Sequence, residues 1–103
     1  MIIYGLKTCD TCRAARKAHP EAEFRDVRAD GVPAELLTAA LETFGAALVN
    51  RKSTTWRGLS EDQRATPPAE LLAAEPTLMK RPLIVEGSKM TLGWTADAQA
   101  AWS

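Results

Sequence analysis

Two cysteines separated by two residues, Cys9-Asp10-Thr11-Cys12, are the residues of this chain best suited to chemistry. They stand between a short apolar run, Ile2-Ile3-Tyr4, closed by Gly5, and an Ala-rich segment from Arg13 to His19 that Pro20 stops. Those flanks predict a strand, a turn and a helix, which is the redox setting of such a pair. The unpaired amides and dipole of a helix N-terminus favour a thiolate, and can bring a cysteine pKa from about 8.5 to roughly 3.5–7.5. Cys9 is then the nucleophile. Cys12, one turn further on, is near enough to attack a mixed disulfide at Cys9 and release the bound thiol. The bland alternative is two inert buried cysteines. Zinc fits less well, because four ligands are wanted and the chain adds only His19, at the far end of the same helix. No metal is expected.

Two further groups carry charge or special backbone chemistry. Arg81-Pro82 enters an apolar run, where the proline reads as a strand start and periodicity alone cannot establish a cis bond. Arg51, Lys52 and Arg57 place three cations in seven residues of an irregular stretch. Such a cluster is either a solvated surface or an anion clamp for carboxylates and oxyanions.

The remaining elements must position these residues. Glu23 to Val27 alternates with period two and predicts a second strand, closing a βαβ unit before the turn signal Asp30-Gly31. Pro33 suits a first helical turn, and Leu37, Ala40, Leu41 and Phe44 share one face before Gly45 ends the helix. From Ala46 to Arg57 no period holds. Ser60-Glu61-Asp62-Gln63 has the form of a capping box, and Thr66-Pro67-Pro68 opens a helix through Leu71 and Leu72. Leu83 to Glu86 reads as a buried strand, Gly87-Ser88 as a turn and Lys89 to Leu92 as the hairpin partner, after which Thr95 caps a last helix carrying Trp102. The order predicts an α/β fold with a small mixed sheet flanked by helices.

Composition bounds the partners. The chain has 103 residues, 46% of them apolar and 25% charged, and thirteen cationic residues balance thirteen acidic ones. That length suits a single domain over residues 1–103, able to bury a core without disulfide staples. Zero net charge removes the simplest case for nucleic-acid or membrane-surface binding. No apolar run nears the roughly 20 residues of a bilayer span, and no secretory signal is legible. A cytoplasmic monomer is expected, and in that reducing compartment a cysteine pair is redox-active or metal-binding more often than structural.

Taken together, Tyr4 to Arg16, Asn50-Arg51 with Thr54-Thr55-Trp56-Arg57, and Lys80-Arg81-Pro82-Leu83 followed by Leu92-Gly93-Trp94 carry a resemblance over essentially the whole chain. The sequence resembles the arsenate-reductase-like family, the thioredoxin-fold group that includes ArsC-type arsenate reductases, YffB-like reductase-related proteins and Spx-type transcription regulators. The YffB-like branch is the nearest. The resemblance implies a thioredoxin-like core with a helical insertion. It implies that Cys9 is the catalytic cysteine, that the loop around it with Thr8, Thr11 and Arg13 resembles the oxyanion pocket, and that Arg51 and Arg81 bind the anion, with Pro82 in cis.

Three positions depart from the arsenate reductases this chain resembles. Trp94 or its neighbours stand where a third oxyanion arginine is placed, Gly5 replaces a histidine, and Cys12 replaces a serine. A missing arginine removes charge stabilisation from the transition state, so arsenate is not the expected natural substrate. The implied activity is a thiol-dependent reductase, glutathione-linked, exchanging disulfides through Cys9 and Cys12. It needs no bound cofactor. Glutathione or a protein disulfide is the expected partner, with glutaredoxin or thioredoxin as recycling reductant. The alternatives are a redox-sensing regulator resembling Spx, which binds RNA polymerase, and a genuine arsenate reductase. Trp56, Trp94 and Trp102 read as core or as groove cover, and Trp94 is placed to wall off the anion pocket.

Overall fold

Ile2–Gly5 forms the strand β1, and its residues Ile3 to Gly5 are all buried, as the apolar run predicts. The helix α1, Asp10–Ala18, follows after a turn and ends at His19. It buries Cys12 and Ala15 and returns the chain to β2, Glu23–Asp26, which pairs parallel to β1 with Ile3 opposite Phe24. The predicted βαβ unit is therefore present. Its second strand is one residue shorter than the alternation suggests, and Val27–Asp30 is instead a helical turn, α2. Asp26 explains the difference: its Oδ1 accepts from the amides of Arg28 at 2.9 Å and Ala29 at 3.3 Å, capping a helix where the strand would have continued.

The strand β3, Leu83–Glu86, lies antiparallel to β1, and β4, Lys89–Leu92, closes a hairpin with it. Gly87 supplies the turn with φ of 60°, a left-handed conformation that side chains resist. The sheet order is β2-β1-β3-β4. This mixed four-stranded sheet with flanking helices is the expected thioredoxin-like core. Ile3, Ala15, Ile84 and Trp102 form its apolar centre, with Phe24 and Trp94 packed against them.

The computed structural model describes residues 1–103, and the chain divides into two units. The sheet unit comprises Met1–Asp30 and Arg81–Ser103, and the inserted unit comprises Gly31–Lys80. The inserted unit is helical, as expected: α3 is Ala34–Phe44, α4 Thr54–Arg57, α5 Glu61–Arg64 and α6 Pro68–Ala74. Leu37 and Ala40 of α3 and Leu71 and Leu72 of α6 are buried, and the capping box at Ser60 and Gln63 forms. The last helix, α7, Ala96–Ala101, belongs to the sheet unit and is capped by the Thr95 hydroxyl. No helix is long and apolar enough to cross a membrane.

Candidate active site

Cys9 is the N-cap residue of α1, where its extended backbone leads the chain out of the turn after β1. Its amide donates to the Leu6 carbonyl at 3.2 Å, and its own carbonyl accepts the first bond of the helix from Arg13 at 2.9 Å. The sulfur is half-buried and lies 3.1 Å from the Thr11 hydroxyl. Thr11 in turn reaches the Arg81 carbonyl at 3.4 Å. The turn into the first helix and the loop entering β3 thus meet at one hydroxyl. The peptide bond between Arg81 and Pro82 is cis, and Pro82 is fully buried.

The two thiols are driven in opposite directions. Burial alone would raise Cys9, but hydrogen bonding from Thr11, from the Cys12 amide and thiol and from Arg81 overcomes it and brings the pKa down to about 7. The Cys12 amide belongs to the first turn of the helix, so part of this is the helix N-terminus at work. Cys12 is fully buried. Its burial is the largest influence and pushes it up to about 12; the neighbouring Cys9 adds to the rise, and the Leu6 backbone and Arg81 oppose it only in part. Near pH 7 Cys9 is therefore about half ionised while Cys12 keeps its proton, so the charge the pair carries sits on Cys9. Both cysteines are free.

The other anticipated residues divide between the two units. Thr8 is exposed in the loop before α1. Arg13 is exposed and turned to Asp10, whose carboxylate its guanidinium meets at 2.8 Å. It lines an open groove on the outer face of α1 with Arg16, Lys17 and Phe24. Arg51 lies in the inserted unit, its guanidinium 5.6 Å over the Trp56 ring. There it lines an open cleft of about 560 Å³ with Asn50, Lys52 and Lys80, a setting that gathers cations without a carboxylate. Trp94 is committed elsewhere: its ring packs against the core and meets His19 edge-on, with centroids 5.9 Å apart.

Gly5 is the residue whose part in this site sequence reading missed. It was legible as the end of a strand and as a departure from the histidine of the resembled arsenate reductases, but not as a neighbour of Cys12: a Cβ built on it would overlap the Cys12 sulfur and stand 3.2 Å from the Cys12 Cβ. No three His, Cys, Asp or Glu side chains gather as a metal would require.

The ArsC family model matches residues 4–101. An uncharacterised protein of Haemophilus influenzae is 39% identical over 98% of this chain and 97% of its own length. The solved structure of a YFFB protein is 35% identical and superimposes with a TM-score of 0.87, covering 97% of this chain and 96% of that one. The solved structure of an arsenate reductase (ArsC) related protein from Brucella melitensis is 34% identical, with a TM-score of 0.71 over 98% of this chain and 92% of its own.

Proposed function

We propose that this chain, which belongs to the ArsC family, is a thiol-dependent reductase that exchanges disulfides with glutathione or with a glutathionylated protein. One observation carries the reading: the Cys9 sulfur stands at the head of α1, 3.1 Å from the Thr11 hydroxyl, with the buried Cys12 three residues on, an arrangement that brings Cys9 down to about 7 and holds Cys12 up at about 12. A thiol with its pKa near the ambient pH is the best attacking group, since it is both ionised and nucleophilic. The likeness to an arsenate reductase related protein supports a reductase in general terms.

The Cys9 thiolate attacks one sulfur of a mixed disulfide, forming a bond to glutathione and expelling the protein thiolate, which takes a proton from solvent. Cys12 then attacks the Cys9 sulfur, forming the Cys9-Cys12 disulfide and breaking the bond to glutathione, while its proton passes to the departing glutathione thiolate. Two further glutathione thiols reduce the pair and leave as oxidised glutathione. Thioredoxin or glutaredoxin can supply the same two electrons. The buried, protonated Cys12 makes the second step the slow one, because its thiolate is scarce. Arg81, whose guanidinium favours the Cys9 thiolate, is the group we assign to a substrate carboxylate, and Arg51 is assigned to anions separately, in its own cationic cleft of the inserted unit. Carboxylates pair well with such planar donors.

The test is exposure of the reduced protein to oxidised glutathione, read by intact mass on the wild type, Cys9→Ser and Cys12→Ser. A glutathione adduct should accumulate on Cys12→Ser and be absent from Cys9→Ser, with the wild type passing on to an internal disulfide. If all three stay unmodified at neutral pH, Cys9 is not an activated thiolate and the reductase reading falls.

A further inference from the structure

We propose that Gly5 is a positioning residue for the thiol pair: the space its missing side chain leaves at the end of β1 is the seat of the Cys12 sulfur. Glycine in a strand is costly, since it gives up more backbone freedom than any other residue and packs nothing. Two ordinary reasons for keeping one are absent here. Gly5 is not among the residues with a left-handed backbone, and it sits in regular parallel register with Asp26 of β2. The reason lies across the strand instead. A Cβ at position 5 would fall on the Cys12 sulfur, 3.2 Å from the Cys12 Cβ and 3.7 Å from the Phe24 ring. The Phe24 distance is ordinary contact, so the obstruction is the cysteine alone.

Any side chain at position 5 therefore evicts the Cys12 sulfur by rotation about its Cα–Cβ bond, or pushes the first turn of α1 off the sheet. The evicted sulfur loses its contact with the Leu6 backbone and its place beside Cys9, two interactions that the site otherwise uses. Glycine at 5 and cysteine at 12 are thus one paired choice: the strand gives up a side chain so that a second thiol can lie beneath the first. This deepens the role given to Cys12 above and rests on it for its meaning, but its test needs no disulfide substrate.

Four proteins decide it: wild type, Gly5→Ala, Cys12→Ala and the double variant, each reduced. Two properties are read, the melting temperature and the pH profile of Cys9 alkylation by iodoacetamide. Gly5→Ala should lower the melting temperature and move the Cys9 profile upward. A rise of one unit from about 7 slows alkylation at pH 7 roughly fivefold. In the Cys12→Ala background, where the sulfur is gone and only the 3.2 Å approach of the two Cβ atoms remains, the same substitution should move both far less. Should Gly5→Ala fail to fold by itself, recovery of a folded protein on adding Cys12→Ala is the expected result, and failure of both overturns the proposal. Equal effects of Gly5→Ala with cysteine or alanine at 12 also overturn it, because the glycine would then serve the strand and not the thiol. The reductase reading stands or falls separately, on the glutathione adduct.

Discussion

The Thr11 hydroxyl lies 3.1 Å from the Cys9 sulfur and has one proton to give. Its second neighbour is the Arg81 carbonyl at 3.4 Å. While Cys9 is a thiol, Thr11 can accept from it and donate to that carbonyl; once Cys9 ionises, the proton is best placed on the sulfur. The hydroxyl therefore follows the charge state of the nucleophile at the cost of one rotation.

Thr11→Val, which keeps the shape and removes the hydroxyl, should raise the Cys9 pKa above about 7 and slow its alkylation at neutral pH severalfold. Thr11→Ser should stay close to the wild type. A valine variant with an unshifted pH profile would show that the helix amides and Arg81 suffice without Thr11.

The two thiols also give the reduced protein a pH dependence of stability with two signs. Cys9 has a folded pKa of about 7, below its ordinary value of 9.0, so between those values the unfolded chain binds the extra proton and stability rises with pH. That contribution is complete above 9.0 and is lost as pH falls through 7. Cys12 has a folded pKa of about 12 against the same 9.0, so from 9.0 upward the native state holds the extra proton and stability falls. Melting temperatures under reductant, taken as differences from Cys9→Ser and Cys12→Ser, should show the rise vanish in the first variant and the decline shrink in the second. A flat difference curve for Cys9→Ser between pH 7 and 9 would contradict the lowered pKa.

The thiol pair and its flanks were legible in sequence because they are local: strand, turn and helix follow one another within twenty residues, and Pro20 marks the end. The hairpin at Gly87 and the capping box at Ser60 and Gln63 were legible for the same reason, each being set by a few adjacent side chains. The end of β2 was not. Val27 continues the alternation of polar and apolar residues, and only the Asp26 carboxylate closing on two amides turns the chain into a helix. Gly5 was hidden more deeply, since what fills its side-chain space is a thiol seven residues away and no period or motif encodes that contact. The setting of Arg51 likewise depends on Lys80, which an antiparallel bridge between Val49 and Met79 brings alongside.

Trp102 should be the most costly single aromatic to remove from the sheet unit. It is 8% exposed, packs with Ile3, Ala15 and Ile84, and donates its indole N–H to the Thr91 hydroxyl at 2.6 Å. Lys89 lies 4.4 Å over the same ring and bonds the Ala101 carbonyl. Trp102→Ala is expected to cost about 3–5 kcal/mol, read as a shift of the urea midpoint. Trp102→Phe, which keeps most of the packing and leaves Thr91 without its donor, should cost about 1–2 kcal/mol. An alanine variant within about 0.5 kcal/mol of the wild type would mean that Trp102 behaves as a surface residue.

Arg81 favours the thiolate of Cys9 and also opposes, in part, the rise at Cys12. Replacing it with glutamine removes the charge and should raise both thiols. The consequence is confined in pH. Near pH 7, where Cys9 is half ionised in the wild type, Arg81→Gln should alkylate severalfold more slowly; above pH 9 both proteins are fully ionised at Cys9 and their rates should converge. Arg81→Lys should fall between them, since an ammonium keeps the charge and loses the planar fork. Convergence at high pH separates electrostatics from damage to the fold, because a displaced Cys9 would react abnormally at every pH. A constant ratio between variant and wild type from pH 6 to 10 would therefore refute the assigned role of Arg81 and leave it as a structural residue of the loop before β3.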